Sequence, residues 1–223
     1  MTPRVACVIP AYDAAATVGV VARGVRAAVP DAFVIGVDDG SRDATRAALE
    51  TTCDVVVAHA RNAGKGAALR AGFAIALARD AAHVLTIDAD GQHDPAAAPA
   101  LLAALEEADL ALGARARGAA MPFGRRVTNA LASAAVSRIV GARVPDPQSG
   151  FRAVRRSVLE RVRAAGDRYE YETEFLIAAG VAGFRIAAVP IATTYGAPSH
   201  FRAFRDSARV VRAIWRQRAA GAR

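Results

Sequence analysis

The first half of the chain alternates short apolar runs with longer segments of helical periodicity. Five apolar runs predict strands: "RVACVIP", "AFVIGVDD", "DVVVAH", "HVLTIDAD" and "DLALGAR". Helical patterns separate them over residues 15–28, 43–51, 64–79 and 95–107. Continuous apolar strands between helices are typical of a mostly parallel sheet that is flanked by helices on both faces. The pattern therefore predicts an α/β fold.

The pattern changes after residue 115. We predict a loop over 116–124, helices over 125–141, from 156 onward and around 171–180, and a helix from 203. "VPDPQSGFRAV" combines turn residues with a short strand, and "FRIAAVPIATTY" predicts one or two strands. Because no internal repeat or low-complexity linker interrupts the chain, we predict a single domain over residues 1–223.

A polar cluster follows each of the five predicted strands. In chain order the clusters are "PAYD", "DDGS", "RNAGKG", "DADGQ" and "GAR". Ligands of open parallel sheets bind at the carboxyl ends of the strands. Ordinary turns and helix caps would explain one or two such clusters, but not five in succession. The sequence therefore predicts one functional site at this edge.

Asp88 and Asp90 end the fourth strand. Residues two apart in an extended chain face the same side, so both carboxylates can converge on one cation while Ala89 points away. Together with the amide of Gln92 they form a set of hard oxygen ligands suited to Mg²⁺ or Mn²⁺. The set is too small for a closed cage, so the cation would also need phosphates or water. Asp94, by contrast, is predicted to cap the helix that begins near residue 95.

The clusters after the second and third strands are less specific. A carboxylate at the end of the second strand, such as Asp38 or Asp39, could accept hydrogen bonds from a ribose or a base, whereas Ser41 or Asp43 is predicted to cap the next helix. Lys65 is not part of a Walker A loop, because Gly66 follows it where Ser or Thr is required. It could supply charge near a nucleotide or simply begin a helix. The first strand lacks a glycine fingerprint, which argues against a dinucleotide-binding fold.

Charge and composition narrow the class of partner. The formal net charge is +8, and residues 201–223 hold seven arginines and one aspartate. We predict a basic amphipathic helix there, which either packs on the domain or lies on an anionic membrane surface. One tryptophan and four tyrosines, with acids where phosphates would bind, argue against a nucleic-acid partner.

The cellular location follows from apolar runs and cysteines. No apolar run reaches the length of a membrane span, and the N-terminal stretch lacks the pattern of a signal peptide. Cys7 and Cys53 lie in apolar strand-like runs and are expected to be free thiols. We therefore expect a cytoplasmic protein, with peripheral contact at the inner face of the membrane as an open alternative.

Six motifs in order resemble those of a known family. They are "VIPAYD", "VDDGSRDAT", "RNAGKGAALRAG", "TIDADGQHDP", "LGAR" and "DPQSGFRAV", across residues 5–153, and "SHFRAFRD" extends the likeness. The chain resembles the family-2 glycosyltransferases of GT-A fold, in the dolichyl-phosphate mannosyltransferase-like (polyprenyl-phosphate glycosyltransferase) branch. The resemblance implies a Rossmann-like nucleotide-sugar-binding half (1–115), an acceptor-side half (116–200) and the basic C-terminal helix (201–223).

The resemblance also implies roles for individual residues. The nucleoside would contact Pro10, Tyr12, Val37 and Asp39, and the diphosphate would contact Asp88, Ala89 and Asp90. Mg²⁺ or Mn²⁺ would be bound by Asp88, Asp90 and Gln92. The phosphates of donor or acceptor would contact Arg115, Arg126 and Arg202, and the acceptor side would be formed by Asp146, Gln148, Ser149 and Gly150. Asp88, Asp90 and Arg115 would be the catalytic residues. The family usually has Asn-Glu after the tyrosine, where this chain has Asp13 and Ala14, a change that bears on nucleotide binding.

The implied reaction is an inverting transfer of a sugar from a GDP- or UDP-sugar. The cation would neutralise charge that develops on the leaving diphosphate. A polyprenyl or dolichyl phosphate is the favoured acceptor, because a phosphate needs no general base. A glycan hydroxyl would need one, for which Asp146 and Glu174 are candidates. A nucleotidyltransferase and a non-catalytic nucleotide- or nucleic-acid-binding protein are the more distant alternatives.

Overall fold

The computed structural model describes residues 4–115 and 123–192, except for the side chains of 123–129, 131 and 132. Seven strands form one sheet in the order β3-β2-β1-β4-β6-β5-β7. The strands are β1 Val5–Ala11, β2 Phe33–Asp38, β3 Val55–Ala58, β4 His83–Thr86, β5 Leu110–Arg115, β6 Arg152–Arg155 and β7 Ile186–Ile191. The strands predicted from the apolar runs are confirmed within these residues.

Strand β6 is the exception to the parallel arrangement. It pairs antiparallel with β4 on one side and with β5 on the other, while the remaining neighbours are parallel. Arg152, its first residue, lies opposite Thr86 of β4 and Leu112 of β5. The chain that enters β6 therefore arrives at the edge where β4 and β5 end. The prediction of a mostly parallel sheet is confirmed.

Helices cover both faces of the sheet, as predicted. They are α1 Val18–Ala28, α2 Thr45–Glu50, α3 Lys65–Ala78, α4 Ala98–Ala103, α5 Phe123–Val140, α6 Arg156–Arg161 and α7 Glu170–Val181. Successive residues of β1 alternate between two cores: Ala6 and Val8 pack in the core that contains α3 and α7, and Cys7 and Ile9 pack in the core that contains α1 and α4. This period of two is that of a strand buried on both sides.

The predicted helix over 95–107 is divided into three pieces. Turns of 3₁₀ helix at Pro95–Ala97 and Ala104–Glu106 flank α4. Pro99 has no N–H to donate to the carbonyl of Pro95, and the N–H of Ala98 bonds to that carbonyl instead, which makes the first turn tighter. The Asp94 carboxylate accepts the N–H of Ala96 at 2.9 Å, so its predicted role as a cap is confirmed.

Two further expectations concern the thiols and the membrane. Cys7 and Cys53 are free, as predicted. Within 4–115 and 123–192, no helix is both long enough and apolar enough to span a bilayer. The predicted basic helix over 201–223 lies outside the described residues.

Candidate active site

The turn after β4 presents Asp88 and Asp90 at the carboxyl edge of the sheet. Asp88 continues the alternation of Val84 and Thr86, so its side chain lies on the face that α3 and α7 cover. The hydroxyl of Thr17 donates to the carbonyl of Ala89 at 2.6 Å and fixes the middle of the turn. Both carboxylates are half-buried.

The two carboxylates act on each other electrostatically. Burial, together with the negative charge of Asp88, raises the pKa of Asp90 above its ordinary value. The N–H of Gln92 donates to Oδ1 of Asp90 at 3.0 Å and orients it. A pair of carboxylates in mutual repulsion has the chemistry of a cation site, since a cation between them would remove the repulsion. Within the described residues, His, Cys, Asp and Glu form no group of three that could hold a metal, so a cation here would need non-protein ligands.

Lys65 contacts the first of these carboxylates. It is the first residue of α3, and its Nζ lies 2.5 Å from Oδ1 of Asp88 and 3.0 Å from Oε1 of Glu172 in α7. Burial lowers the pKa of Lys65, but the two carboxylates raise it by more. The net pKa lies above its ordinary value, so the side chain carries a positive charge. For Asp88, burial raises the pKa, but Lys65 outweighs this effect and holds it below its ordinary value. The alternative in which Lys65 begins a helix is confirmed, and its possible role near a nucleotide stays a prediction.

Glu172 was missed by the sequence reasoning. It is buried, with 4% of its surface exposed, and burial raises the pKa of its carboxyl. The segment "EYETEF" offers two glutamates two residues apart, and periodicity alone does not say which one enters a site. The other, Glu174, accepts the N–H groups of Ala165 and Gly166 through Oε2, at 3.2 and 2.8 Å. Its carboxylate therefore stabilises a loop, which argues against the base role considered for it.

Arg115 and Asp146 form a pair of hydrogen bonds at the end of β5. Nε of Arg115 lies 2.5 Å from Oδ2 of Asp146, and its second terminal nitrogen lies 3.0 Å from Oδ1. This two-point geometry holds the guanidinium plane in a fixed orientation at the end of β5. The structure thus brings together a predicted phosphate-binding arginine and a predicted acceptor-side residue.

Gly150 lies directly against Asp88. A Cβ at this position would be 2.3 Å from Oδ1 and 2.4 Å from Oδ2 of Asp88, so a larger residue here would displace the carboxylate. The Gly150 carbonyl accepts the hydroxyl of Thr86 at 2.8 Å, which fastens the loop to β4. Ser149 is fully buried, and Gln148 is half-buried.

Arg152 organises the loop that precedes β6 and was also missed. Its buried guanidinium donates to the carbonyls of Pro147, Ser149 and Glu172 at 2.7–2.8 Å. A single guanidinium therefore joins the loop before β6 to α7. An arginine in a short apolar strand is the signal that could have indicated a buried structural role.

The predicted nucleoside residues lie at the ends of β1 and β2. Pro10 and Val37 are register partners, and both are buried; Val37 packs in the core beside α3. The Asp39 carboxylate accepts the N–H groups of Ala63 and Gly64 at 2.9 and 2.8 Å and contacts Nδ1 of His59 at 2.7 Å. Asp39 therefore ties the end of β2 to the loop that leads to Lys65.

Residues after β1 are joined to the loop that follows β2. Asp13 adopts a positive φ of 48°, and its N–H donates to the hydroxyl of Ser41 at 3.0 Å. The N–H of Ala14 donates to the hydroxyl of Thr45 at 2.7 Å. Asp43 accepts the N–H of Thr45 at 2.9 Å, but the N-cap of α2 is Ala44, so the cap predicted at Ser41 or Asp43 is misplaced.

The roles predicted for Tyr12, Arg126 and Arg202 are not tested by the structure, and the last two residues are described only in part or not at all. Tyr12 is half-buried beside this loop. The backbone of Arg126 lies in α5, but its side chain is outside the described part of the chain, and Arg202 is wholly outside it. Their roles stay predictions.

Comparison with known proteins identifies the family of this α/β fold with its carboxylate-bearing edge. The model of glycosyl transferase family 2 matches residues 6–163. The chain is 33% identical over 207 residues to polyprenol monophosphomannose synthase of Mycolicibacterium smegmatis, covering 86% of this chain and 78% of that protein. It is 31% identical over 201 residues to undecaprenyl-phosphate mannosyltransferase of Micrococcus luteus, covering 84% and 82%. The protein belongs to glycosyltransferase family 2.

A solved structure confirms the fold. Glucosyl-3-phosphoglycerate synthase of Mycobacterium tuberculosis, in complex with Mn²⁺, UDP and glucosyl-3-phosphoglycerate, superposes with a TM-score of 0.77 at 24% identity, covering 96% of this chain and 80% of that chain. The GT-A fold predicted from the motifs is thus confirmed. Membership of the family makes the protein a nucleotide-sugar-dependent glycosyltransferase.

Proposed function

We propose that the protein transfers a sugar from a GDP- or UDP-sugar to a polyprenyl phosphate, with inversion, at the edge formed by the ends of β4 and β5. The observation that carries the proposal is the convergence of Asp88 and Asp90, in mutual repulsion, beside the Arg115–Asp146 pair. Names of relatives support the acceptor class: polyprenol monophosphomannose synthase and undecaprenyl-phosphate mannosyltransferase both refer to polyprenyl lipids.

The residues at this edge fit a divalent cation. Asp88, Asp90 and Gln92 would hold Mg²⁺ or Mn²⁺, with the remaining positions left to the donor diphosphate and water. The bound cation would neutralise charge on the departing diphosphate. The related synthase of Mycobacterium tuberculosis has been crystallised with Mn²⁺ and with Mg²⁺, each with UDP, which supports this choice of ion.

The carboxylates around the site favour a phosphate acceptor. Both carboxylates considered as bases are engaged: Asp146 is held by Arg115, and Glu174 by two backbone N–H groups. A carboxylate engaged in this way is a weak general base, and a hydroxyl acceptor would need a good one. A lipid phosphate, with a second pKa of about 6, is already nucleophilic at neutral pH.

The acceptor implies a membrane surface. We propose that the protein is cytoplasmic and meets its lipid at the inner face of the membrane through the basic segment 201–223. Seven arginines in that segment would be attracted to anionic headgroups, each by about 1 kcal/mol.

The proposed function is tested by direct transfer assays. Radiolabelled GDP-mannose, UDP-glucose and UDP-N-acetylglucosamine are each incubated with undecaprenyl phosphate or with soluble glycans, with Mn²⁺ or with EDTA. We expect label in the lipid fraction for one donor, and none in EDTA. Transfer to glycan hydroxyls alone would replace the lipid acceptor, and transfer that persists in EDTA would remove the cation from the proposal.

Substitution of Arg115 by lysine tests the acceptor side. Lysine keeps the charge but loses the two-point geometry toward Asp146. We expect kcat to fall about tenfold while the KM for the donor changes less, as is usual for a residue that orients another group. Steady-state kinetics check this, with Arg155→Lys as the matched control, because Arg155 donates to the carbonyls of Leu105 and Ala108 away from the site. Equal losses in both variants would contradict the assignment.

A further inference from the structure

The buried carboxylate of Glu172 is the group that the proposed reaction leaves unused. It projects from α7 and contacts Nζ of Lys65, which also lies 5.9 Å from the ring centroid of Tyr169. Lys65 therefore bridges a carboxylate of the donor half, Asp88, and one of the acceptor half, Glu172. A buried ion pair with this geometry is costly to assemble, so its presence at the site needs an explanation.

The backbone around Lys65 is fixed against α7 by the loop between α6 and α7. The N–H groups of Gly66 and Ala67 donate to the carbonyl of Asp167 at 2.7 and 3.2 Å. A Cβ at Gly64 or Gly66 would approach the backbone of this loop within 2.3–2.5 Å. The start of α3 is thus docked so closely that the reach of Lys65 toward Glu172 is set by the fold.

The balance of charge around Lys65 accounts for the presence of Glu172. Asp88 cannot offer its full negative charge to a divalent cation while it is also paired with the Lys65 ammonium. An ammonium left without a partner in this half-buried position would compete with the cation for Asp88, because removing one partner of a buried pair is strongly unfavourable. Glu172 supplies a second carboxylate that keeps the ammonium in place after Asp88 turns to the cation.

We propose that Glu172 is a positioning residue that holds the Lys65 ammonium beside the site. When a cation binds Asp88, the Lys65 ammonium can then exchange its ion pair with Asp88 for one with the diphosphate of the donor. The inference rests on the proposed function in one respect, since that function brings the cation and the diphosphate to Asp88. Glu172 itself touches neither substrate nor cation; it acts through Lys65.

A double-mutant cycle tests the inference. Mn²⁺ affinity of the nucleotide-free protein is measured by electron paramagnetic resonance for wild type, Glu172→Gln, Lys65→Met and the double variant. Glutamine keeps the shape but not the charge, so Lys65 stays on Asp88, and we expect Mn²⁺ to bind about tenfold more weakly. In the Lys65→Met background the same change is expected to have an effect of twofold or less, because there is no ammonium to position.

The outcomes separate a positioning role from a structural one. An equal loss in both backgrounds, or no loss in either, overturns the inference. Glu174→Gln is the matched control: it weakens a carboxylate that holds backbone N–H groups, so it should lower the melting temperature and leave Mn²⁺ affinity unchanged. Calorimetry of wild type with GDP or UDP in the presence of Mn²⁺ tests the proposed function separately, because failure to bind either nucleotide overturns that function without touching the Mn²⁺ cycle.

Discussion

Replacement of Asp90 by asparagine is expected to abolish cation-dependent binding of the nucleotide-sugar and to lower kcat by about 100-fold or more, since a catalytic cation contributes several kcal/mol. Asparagine keeps the oxygen that accepts the Gln92 N–H but removes the negative charge. The substitution also removes a negative charge that is disfavoured by burial and by repulsion from Asp88, the two causes of the raised pKa of Asp90. The folded protein should therefore become slightly more stable as it loses activity.

Calorimetry with GDP and UDP, with and without Mn²⁺, measures the binding loss, and thermal unfolding without metal measures stability. Asp94→Asn is the matched control four residues along the same turn. Asparagine is also a good helix cap, so this variant should keep both the fold and cation-dependent binding. Unchanged, metal-dependent nucleotide binding by Asp90→Asn would falsify the cation site.

Substitution of Gly150 by alanine is expected to reduce activity to a similar extent by a different route. The new methyl group would lie 2.3–2.4 Å from both carboxylate oxygens of Asp88, well inside van der Waals contact. Either the carboxylate turns away, which separates it from Asp90 and Lys65, or the loop before β6 moves from Thr86. Overpacking of this kind costs about 1–3 kcal/mol of stability, so the protein should still fold.

Activity, Mn²⁺ affinity and urea unfolding are measured together for Gly150→Ala. The control is Gly19→Ala in α1, where the nearest atom to a new Cβ is the end of the Arg23 side chain at 3.3 Å. Alanine in an open helix position should stabilise by up to about 1 kcal/mol and leave activity unchanged. A Gly150→Ala enzyme with wild-type Mn²⁺ affinity would show that the close packing on Asp88 does not matter.

Much of the sheet could be predicted from the sequence. Its strands are buried on both faces and therefore consist of continuous apolar runs. The end of β4 shows why the edge could also be located. Asp88 and Asp90 interrupt an apolar run so abruptly that a structural explanation accounts for neither. Asp94 could be assigned correctly as a cap from its position before Pro95 alone.

Long-range pairings could not be predicted in the same way. The antiparallel direction of β6 depends on which strands it joins, and its four residues carry no local signal for direction. The contact between Lys65 and Glu172 joins residues on two helices whose own periodicity predicts only burial. Asp39 illustrates the converse: its acidic motif was visible, but its hydrogen bonds to the loop at Ala63 and Gly64 were not.

The reversed direction of β6 has a consequence for how relatives could diversify. Asp88, on the proposed donor side, precedes β5 in the chain, whereas the loop that packs on it through Gly150 comes later, between β5 and β6. Exchange of residues 116–149, which belong to the proposed acceptor side, with those of a relative is therefore expected to change the acceptor and leave the first four strands intact. Gly150 and Arg152 follow the exchanged segment and would be kept. Gly150 packs on Asp88, and Arg152 binds the loop to α7, so both would hold the new segment in place.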